Sequence, residues 1–153
     1  MVLNTPEKNF IWLELRYKRL YSSAKKCKKS NNFVIILEYG ENIWELVWER
    51  ALSETYIYFP DPWAKKENQK KKRLLQADFL QTLFRLTQPW GKLYFKTDHK
   101  GYFEDTLKIL DELNLWTQEY ISYDYKNSAM YRAETITEFE GLFRGEQEDF
   151  YSL

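Results

Sequence analysis

Tyr56-Ile57-Tyr58-Phe59-Pro60-Asp61-Pro62-Trp63-Ala64-Lys65-Lys66 is a β-rich run that stops at one acid held between two prolines and passes directly into lysines. Each proline fixes its own φ and biases its predecessor away from helical backbone, so Phe59 and Asp61 are both expected to be extended. The Asp61 carboxylate then stands stiffly at a strand end. In open α/β sheets the carboxyl ends of strands are the ligand-binding edge, and a preorganised acid there reads as a working group rather than a surface charge. The cations just downstream suit an anionic partner.

Outward from this run, strands and helices alternate. Phe10 to Leu15 reads as a strand, Tyr17 to Lys29 as a basic helix with Leu20 and Ala24 inward, and Phe33 to Glu38 as a buried strand. Asn42 to Arg50 looks helical with Asn42 as its N-cap, and Thr55 to Phe59 is the strand that enters the Pro-Asp-Pro turn. Beyond the lysines come a helix over Asp78 to Leu86, a turn at Pro89-Trp90-Gly91, a strand over Lys92 to Thr97 and an amphipathic helix over Tyr102 to Leu113. Trp116 to Ser122 reads as a strand, Tyr123 to Glu134 mostly as loop, Ile136 to Phe143 as a short helix, and Phe150 to Leu153 as the start of a last strand. This alternation predicts an α/β fold: a mostly parallel sheet with helices on both faces.

Composition sets the limits. At 153 residues, 44% hydrophobic and 30% charged, the chain is expected to be a single globular domain over 1–153. No apolar run reaches membrane-spanning length and Met1 to Lys8 lacks the apolar core of a signal peptide, so a soluble, cytoplasmic protein is expected. One cysteine, Cys27, and one histidine, His99, argue against a zinc cluster. The formal net charge of zero hides an asymmetry: residues 1–97 carry 18 Lys and Arg against 10 acids, and residues 98–153 carry 5 against 13. The cations gather in two clusters, Arg16 to Lys29 and Lys65 to Arg73, which read either as solvated faces or as phosphate contacts.

Asp61 lacks the partners of a hydrolase, because Ser22 and Ser53 have no histidine at a motif spacing and Cys27 lies among helix lysines. A carboxylate can instead accept hydrogen bonds from the Watson-Crick edge of guanine, whose ring N–H and exocyclic amine are both donors. The opposite edge then faces outward. Its N7 has a free lone pair, so alkylation there needs no proton removal, only positioning and compensation of the positive charge that develops on the ring.

Read together, Asn9 to Arg19, Phe59-Pro60-Asp61-Pro62-Trp63-Ala64-Lys65-Lys66, the basic segment to Arg73-Leu74-Leu75, Phe95-Lys96-Thr97-Asp98 and Thr137-Glu138-Phe139-Glu140 resemble the bacterial tRNA (guanine-N7-)-methyltransferases. The resemblance implies a Rossmann-like class I methyltransferase fold that moves a methyl group from S-adenosyl-L-methionine to N7 of a guanosine in the tRNA variable loop. It implies Asp61 as the catalytic aspartate and Glu14 as the acid on the cofactor ribose, with Glu41 and Asn42 on the adenine side. It likewise implies Lys65, Asp98, Thr137 and Glu140 as substrate-binding residues, and Lys66, Lys70, Lys71, Lys72 and Arg73 facing RNA. Other readings stay open: Glu14 as a helix N-terminal acid, Asn42 as a plain cap, and Thr137 with Glu140 as a capping box.

Two departures accompany the resemblance. Glu67-Asn68-Gln69 stands where relatives tend to carry arginine and histidines, and no glycine-rich turn precedes Asn9. The chain is therefore expected to be an N-terminally incomplete methyltransferase domain without its first, central strand. The strands at Phe10 to Leu15 and Thr55 to Phe59 are then expected to pair with each other or with a strand of another copy, which would make a homo-oligomer. The alternative to an enzyme is a truncated, non-catalytic homologue serving as an RNA-binding or assembly partner.

Overall fold

The computed structural model of the chain describes residues 5–26, 31–128, 131 and 151–153. Its contacts divide into two compact units, Met1–Leu46 and Val47–Leu153.

In the first unit, β1 (Phe10–Leu13) and β2 (Phe33–Ile36) pair in parallel from Phe10↔Phe33 to Leu13↔Ile36. Parallel neighbours need a crossover, which α1 (Tyr17–Lys26) supplies. Lys25 and Lys26 sit in its last turn, where cations suit the negative end of the helix dipole. Leu20 is half-buried as expected, but Ala24 is exposed. The helix expected over Asn42 to Arg50 is a shorter 3-10 turn, Gly40–Glu45, with Tyr39 rather than Asn42 at its N-cap position and no side-chain cap. Only Ile43 is buried there, whereas Trp44 and Trp48 are 57% and 80% exposed, so a longer helix has no apolar face to bury.

In the second unit the sheet order is β3 (Leu52–Tyr58), β4 (Thr87–Thr97), β5 (Tyr151–Ser152), with β3 and β4 parallel and β5 antiparallel to β4. α2 (Ala77–Leu86) lies in the crossover from β3 to β4, and α3 (Lys100–Leu113) follows β4. Leu80 and Leu83 of α2, Tyr102, Phe103 and Leu110 of α3, and Ile57, Leu75, Phe95 and Tyr151 form one core. Side chains alternate across a strand, so Ile57 and Phe95 enter that core while Tyr56, Tyr58, Tyr94 and Lys96 share the other face. There Tyr56 and Tyr94 stack at 4.8 Å. The predicted turn at Pro89-Trp90-Gly91 is an outward bulge inside β4: the register slips between Leu52/Thr87 and Glu54/Lys92, and Trp90 takes φ 67.

Other departures concern strands and turns. Of the two pairings expected for β1 and β3, the one with each other is not formed, since the strands lie in separate sheets, and the one with a second copy stays an expectation. Trp116 to Ser122 is not a strand; Trp116 turns its ring onto Phe84 at 5.4 Å, and only Ser122 bridges to Ser152. Phe59 is not extended but takes φ 52, a left-handed conformation. Local preference is overridden there because its N–H is held by the Lys96 carbonyl at 2.8 Å as the chain leaves the sheet. The helix expected over Ile136 to Phe143 lies outside the described residues.

Candidate active site

The carboxyl ends of β3 and β4 lie side by side, since Tyr58 pairs with Lys96. Asp61 follows the first strand by three residues and Asp98 follows the second by one, so the parallel pairing brings both acids to one edge. Both are exposed.

The Asp61 loop is held in an unusual shape. Phe59 at φ 52 and Trp63 at φ 45 place a left-handed aromatic residue on each side of Pro60-Asp61-Pro62. Such backbone costs on the order of 1–3 kcal/mol for a residue with a side chain, and it persists only where surrounding contacts impose it. Those contacts are visible. Trp63 N–H donates to Asp61 Oδ1 at 3.0 Å, and Arg73 Nε donates to the Pro62 carbonyl at 2.7 Å. The ammonium of Lys72 sits 5.0 Å from the Trp63 ring centroid. Asp61 thus keeps Oδ2 and a second lone pair on Oδ1 for a donor from outside.

The basic segment divides into two faces. Lys65, Lys66, Lys71 and Lys72 are exposed, in keeping with contacts to an external anion. Lys70 is half-buried with Nζ 3.5 Å from Asp105 Oδ2. Arg73, grouped with the outward cations on sequence grounds, is instead turned inward: it is 3% exposed, and Nη1 donates to Asp105 Oδ2 at 2.7 Å. Burying an arginine requires such pairing, and Asp105 on α3 supplies it. No local pattern in the sequence could have matched Asp105 to Arg73, because they meet only when α3 packs beside the 3-10 segment Glu67–Lys72.

After β4 the chain is fixed tightly. Thr97 is fully buried and its Oγ1 accepts from His99 N–H at 3.2 Å, while His99 Nδ1 accepts from Tyr102 N–H at 3.0 Å to cap α3. His99 is therefore a cap, with Nδ1 in the acceptor tautomer. Lys96, given no role by the sequence alone, is 4% exposed, with Nζ 4.6 Å from the Tyr58 ring centroid and 3.9 Å from that of Tyr125. Thr137 and Glu140 lie outside the described residues.

The first unit gathers its own acids. Glu14 follows β1 directly; its N–H donates to the Ile36 carbonyl at 3.1 Å, and Oε1 accepts from Arg16 N–H at 2.8 Å. Glu14 therefore stands ahead of α1, which has no acid in its first turn, and ties down the chain before the helix with one oxygen, leaving Oε2 as an acceptor. Glu38 is the first acid after β2. Its carboxylate accepts from Tyr39 N–H at 2.7 Å and Asn42 Nδ2 at 2.9 Å, and these bonds hold its pKa below the usual glutamate value. Asn42 therefore serves as a donor to Glu38, and the neighbouring Glu41 is exposed. Among the described residues no acid, histidine or cysteine cluster could hold a metal ion, and no helix is long and apolar enough to cross a membrane.

A family model described as "Putative methyltransferase" matches residues 1–153. The chain is 41% identical, over 90% of its length, to a bifunctional glycosyltransferase/methyltransferase of Fusobacterium nucleatum, and spans 21% of that protein. It is 34% identical to a tRNA (guanine-N(7)-)-methyltransferase of Clostridioides difficile, over 90% of the chain and 64% of the relative. It is 30% identical to the enzyme of that name from Latilactobacillus sakei, over 100% of the chain and 72% of the relative. Among solved structures it resembles the protein PH0851 (TM-score 0.60, 14% identity, 94% of this chain and 36% of that one). It also resembles an S-adenosylmethionine-dependent O-methyltransferase of Thermotoga maritima (TM-score 0.53, 12% identity, 96% and 49%). Together with the family match, these likenesses identify the α/β architecture as the Rossmann-like methyltransferase fold. The chain belongs to the methyltransferase family whose model spans it from end to end and, within it, to the tRNA (guanine-N(7)-)-methyltransferases.

Proposed function

We propose that this chain works within a tRNA methyltransferase that transfers a methyl group to N7 of a guanosine in the variable loop, with Asp61 as the catalytic carboxylate. The observation that carries the reading is the Pro60-Asp61-Pro62 loop, held between two left-handed aromatics at the carboxyl end of β3 beside Asp98 and the exposed lysines. Asp61 accepts hydrogen bonds from the Watson-Crick edge of guanine, which turns N7 outward and sets a fixed negative charge against the charge that develops on the ring. No general base is needed, because N7 reacts through its own lone pair. Asp98, Lys65 and the terminal pair Thr137 and Glu140 complete the contacts to the target nucleotide. Lys66, Lys71 and Lys72 meet phosphates, which position the RNA without reading its sequence.

S-adenosyl-L-methionine, when bound, supplies the methyl group as an electrophilic sulfonium. The donor set of the first unit fits it: Glu14 keeps Oε2 as an acceptor for ribose hydroxyls, and exposed Glu41 with Asn42 serves the adenine side. Such work on tRNA belongs in the cytoplasm.

Asp61→Asn in the full-length protein tests the reading. It keeps the size and one acceptor but removes the charge, so single-turnover methylation should fall about a hundredfold. tRNA affinity, set by the lysines, should stay within about twofold. Methylation at the parental rate would reduce Asp61 to a turn residue.

A further inference from the structure

We propose that Arg73 is the positioning residue for Asp61, a buried guanidinium that holds the left-handed Phe59–Trp63 loop in its working shape. The inference rests on the reading of Asp61 given above. Arg73 is 3% exposed and joins the Asp61 loop to α3. Nε donates to the carbonyl of Pro62, the residue next to Asp61, at 2.7 Å, and Nη1 donates to Asp105 Oδ2 on α3 at 2.7 Å. The guanidinium lies 4.7 Å from the ring centroid of Tyr102. Tyr102 is itself fixed: it is 1% exposed and its hydroxyl accepts from Leu75 N–H at 3.0 Å. The anchor is therefore a rigid helix and core, while the load is a loop whose backbone would relax without it.

The side-chain chemistry separates this role from simple filling. A buried ion pair can often be replaced by apolar side chains of similar volume without loss of stability, so burial alone does not require an arginine. What the site requires is a planar fork that donates in two fixed directions while stacking on an aromatic ring, which a lysine cannot reproduce. The same geometry separates Arg73 from its exposed neighbours Lys71 and Lys72, whose ammonium groups can reach a phosphate. A carboxylate displaced by about an ångström can lose a hundredfold in rate with little change in binding.

The test compares Arg73→Lys, Arg73→Met and Asp105→Asn with Asp61→Asn in the full-length protein. Single-turnover methylation, tRNA affinity against salt, and hydrogen exchange of the Trp63 amide are read together. Arg73→Lys and Arg73→Met should each slow methylation about tenfold to a hundredfold. tRNA affinity and its salt slope should remain parental, and Trp63 N–H, bonded to Asp61 Oδ1, should exchange faster. Asp105→Asn leaves Arg73 in place with a weaker anchor and should show the same pattern at smaller size; it carries the test if the Arg73 variants do not fold. Parental methylation and parental Trp63 exchange in Arg73→Lys would overturn the proposal. So would a weaker affinity with a flatter salt slope, which marks a phosphate contact, or slowed methylation with unchanged Trp63 exchange. Parental methylation in Asp61→Asn would instead remove the reading beneath it, while Trp63 exchange still reports whether Arg73 holds the loop.

Discussion

The two units of this chain are built to different degrees. Val47–Leu153 closes around nine buried apolar side chains, from Ile57 to Tyr151, and holds Asp61, Lys65 and Asp98 on loops sprung from that core. Met1–Leu46 has strands of the same apolar character, yet Ile11, Trp12 and Val34 are 41%, 42% and 49% exposed, and Ile43 is its sole buried apolar residue among those described. The difference teaches that strand composition reports what a segment could bury, while the residues it meets decide what it does bury. The proposed catalytic edge accordingly stands on a packed scaffold, which is what precise placement of a carboxylate needs.

The sharpest way to break this comparison is to truncate one apolar side chain to alanine in each unit. Phe103→Ala removes a fully buried ring that packs on Phe95 and Tyr151, and should cost about 3–5 kcal/mol of stability. Ile11→Ala, at a site 41% exposed, should cost under about 1 kcal/mol. Denaturant titration measures both, and equal losses would show that the contrast in burial has no energetic counterpart.

Within the packed unit, Gly91 tests how closely β4 is drawn against β3 at its bulge. A Cβ there would collide with Thr87 Cγ2 and lie 2.9 Å from the Gln88 carbonyl and 3.1 Å from the Leu52 carbonyl. Gly91→Ala should therefore destabilise by about 1–3 kcal/mol, read as a lowered unfolding midpoint. A neutral result would mean that the bulge shifts freely.

The two basic surfaces sharpen the comparison for RNA. Lys66, Lys71 and Lys72 changed together to Ala should lower the salt slope of tRNA binding by up to about three phosphate contacts. Lys18, Lys25 and Lys26 on α1, equally exposed, should lower it by less. Equal slopes from the two triple variants would extend the RNA surface over the first unit.

The smallest effect concerns pH. Among the described residues, each unit has a carboxyl group held below its usual pKa: Glu38 by Tyr39 N–H and Asn42, and Asp124 by the side chain and N–H of Asn127. A carboxylate with a lowered folded-state pKa adds stability above its ordinary value and loses it as pH falls through the folded value. The melting temperature should therefore drop slightly as pH falls below about 4, and less so in Glu38→Gln and Asp124→Asn. Identical profiles for parent and variants would assign both groups no part in stability.

The order of strands and helices was legible because apolar period, proline and glycine act within a few residues. β1, β2, β3, α2 and α3 lie within a few residues of their expected bounds, and the Tyr151–Ser152 strand is present. The reading of Asp61 at a strand end was legible for the same reason, as proline marks where a strand must stop. The shape of that loop was not. Proline predicts an extended Phe59, but the Lys96 carbonyl and Arg73 hold the chain where Phe59 and Trp63 turn left-handed. The inward turn of Arg73 likewise had no local signal, since its partners Asp105 and Tyr102 are remote in the chain and a charge run looks the same whether it faces water or a buried acid. By itself the sequence determined where most strands and helices run and that Asp61 follows a strand end, because short-range backbone preferences are written in neighbouring side chains. Only the tertiary structure decided which cations face outward and which one braces the loop, because long-range pairing offsets both the burial of a charge and a strained backbone.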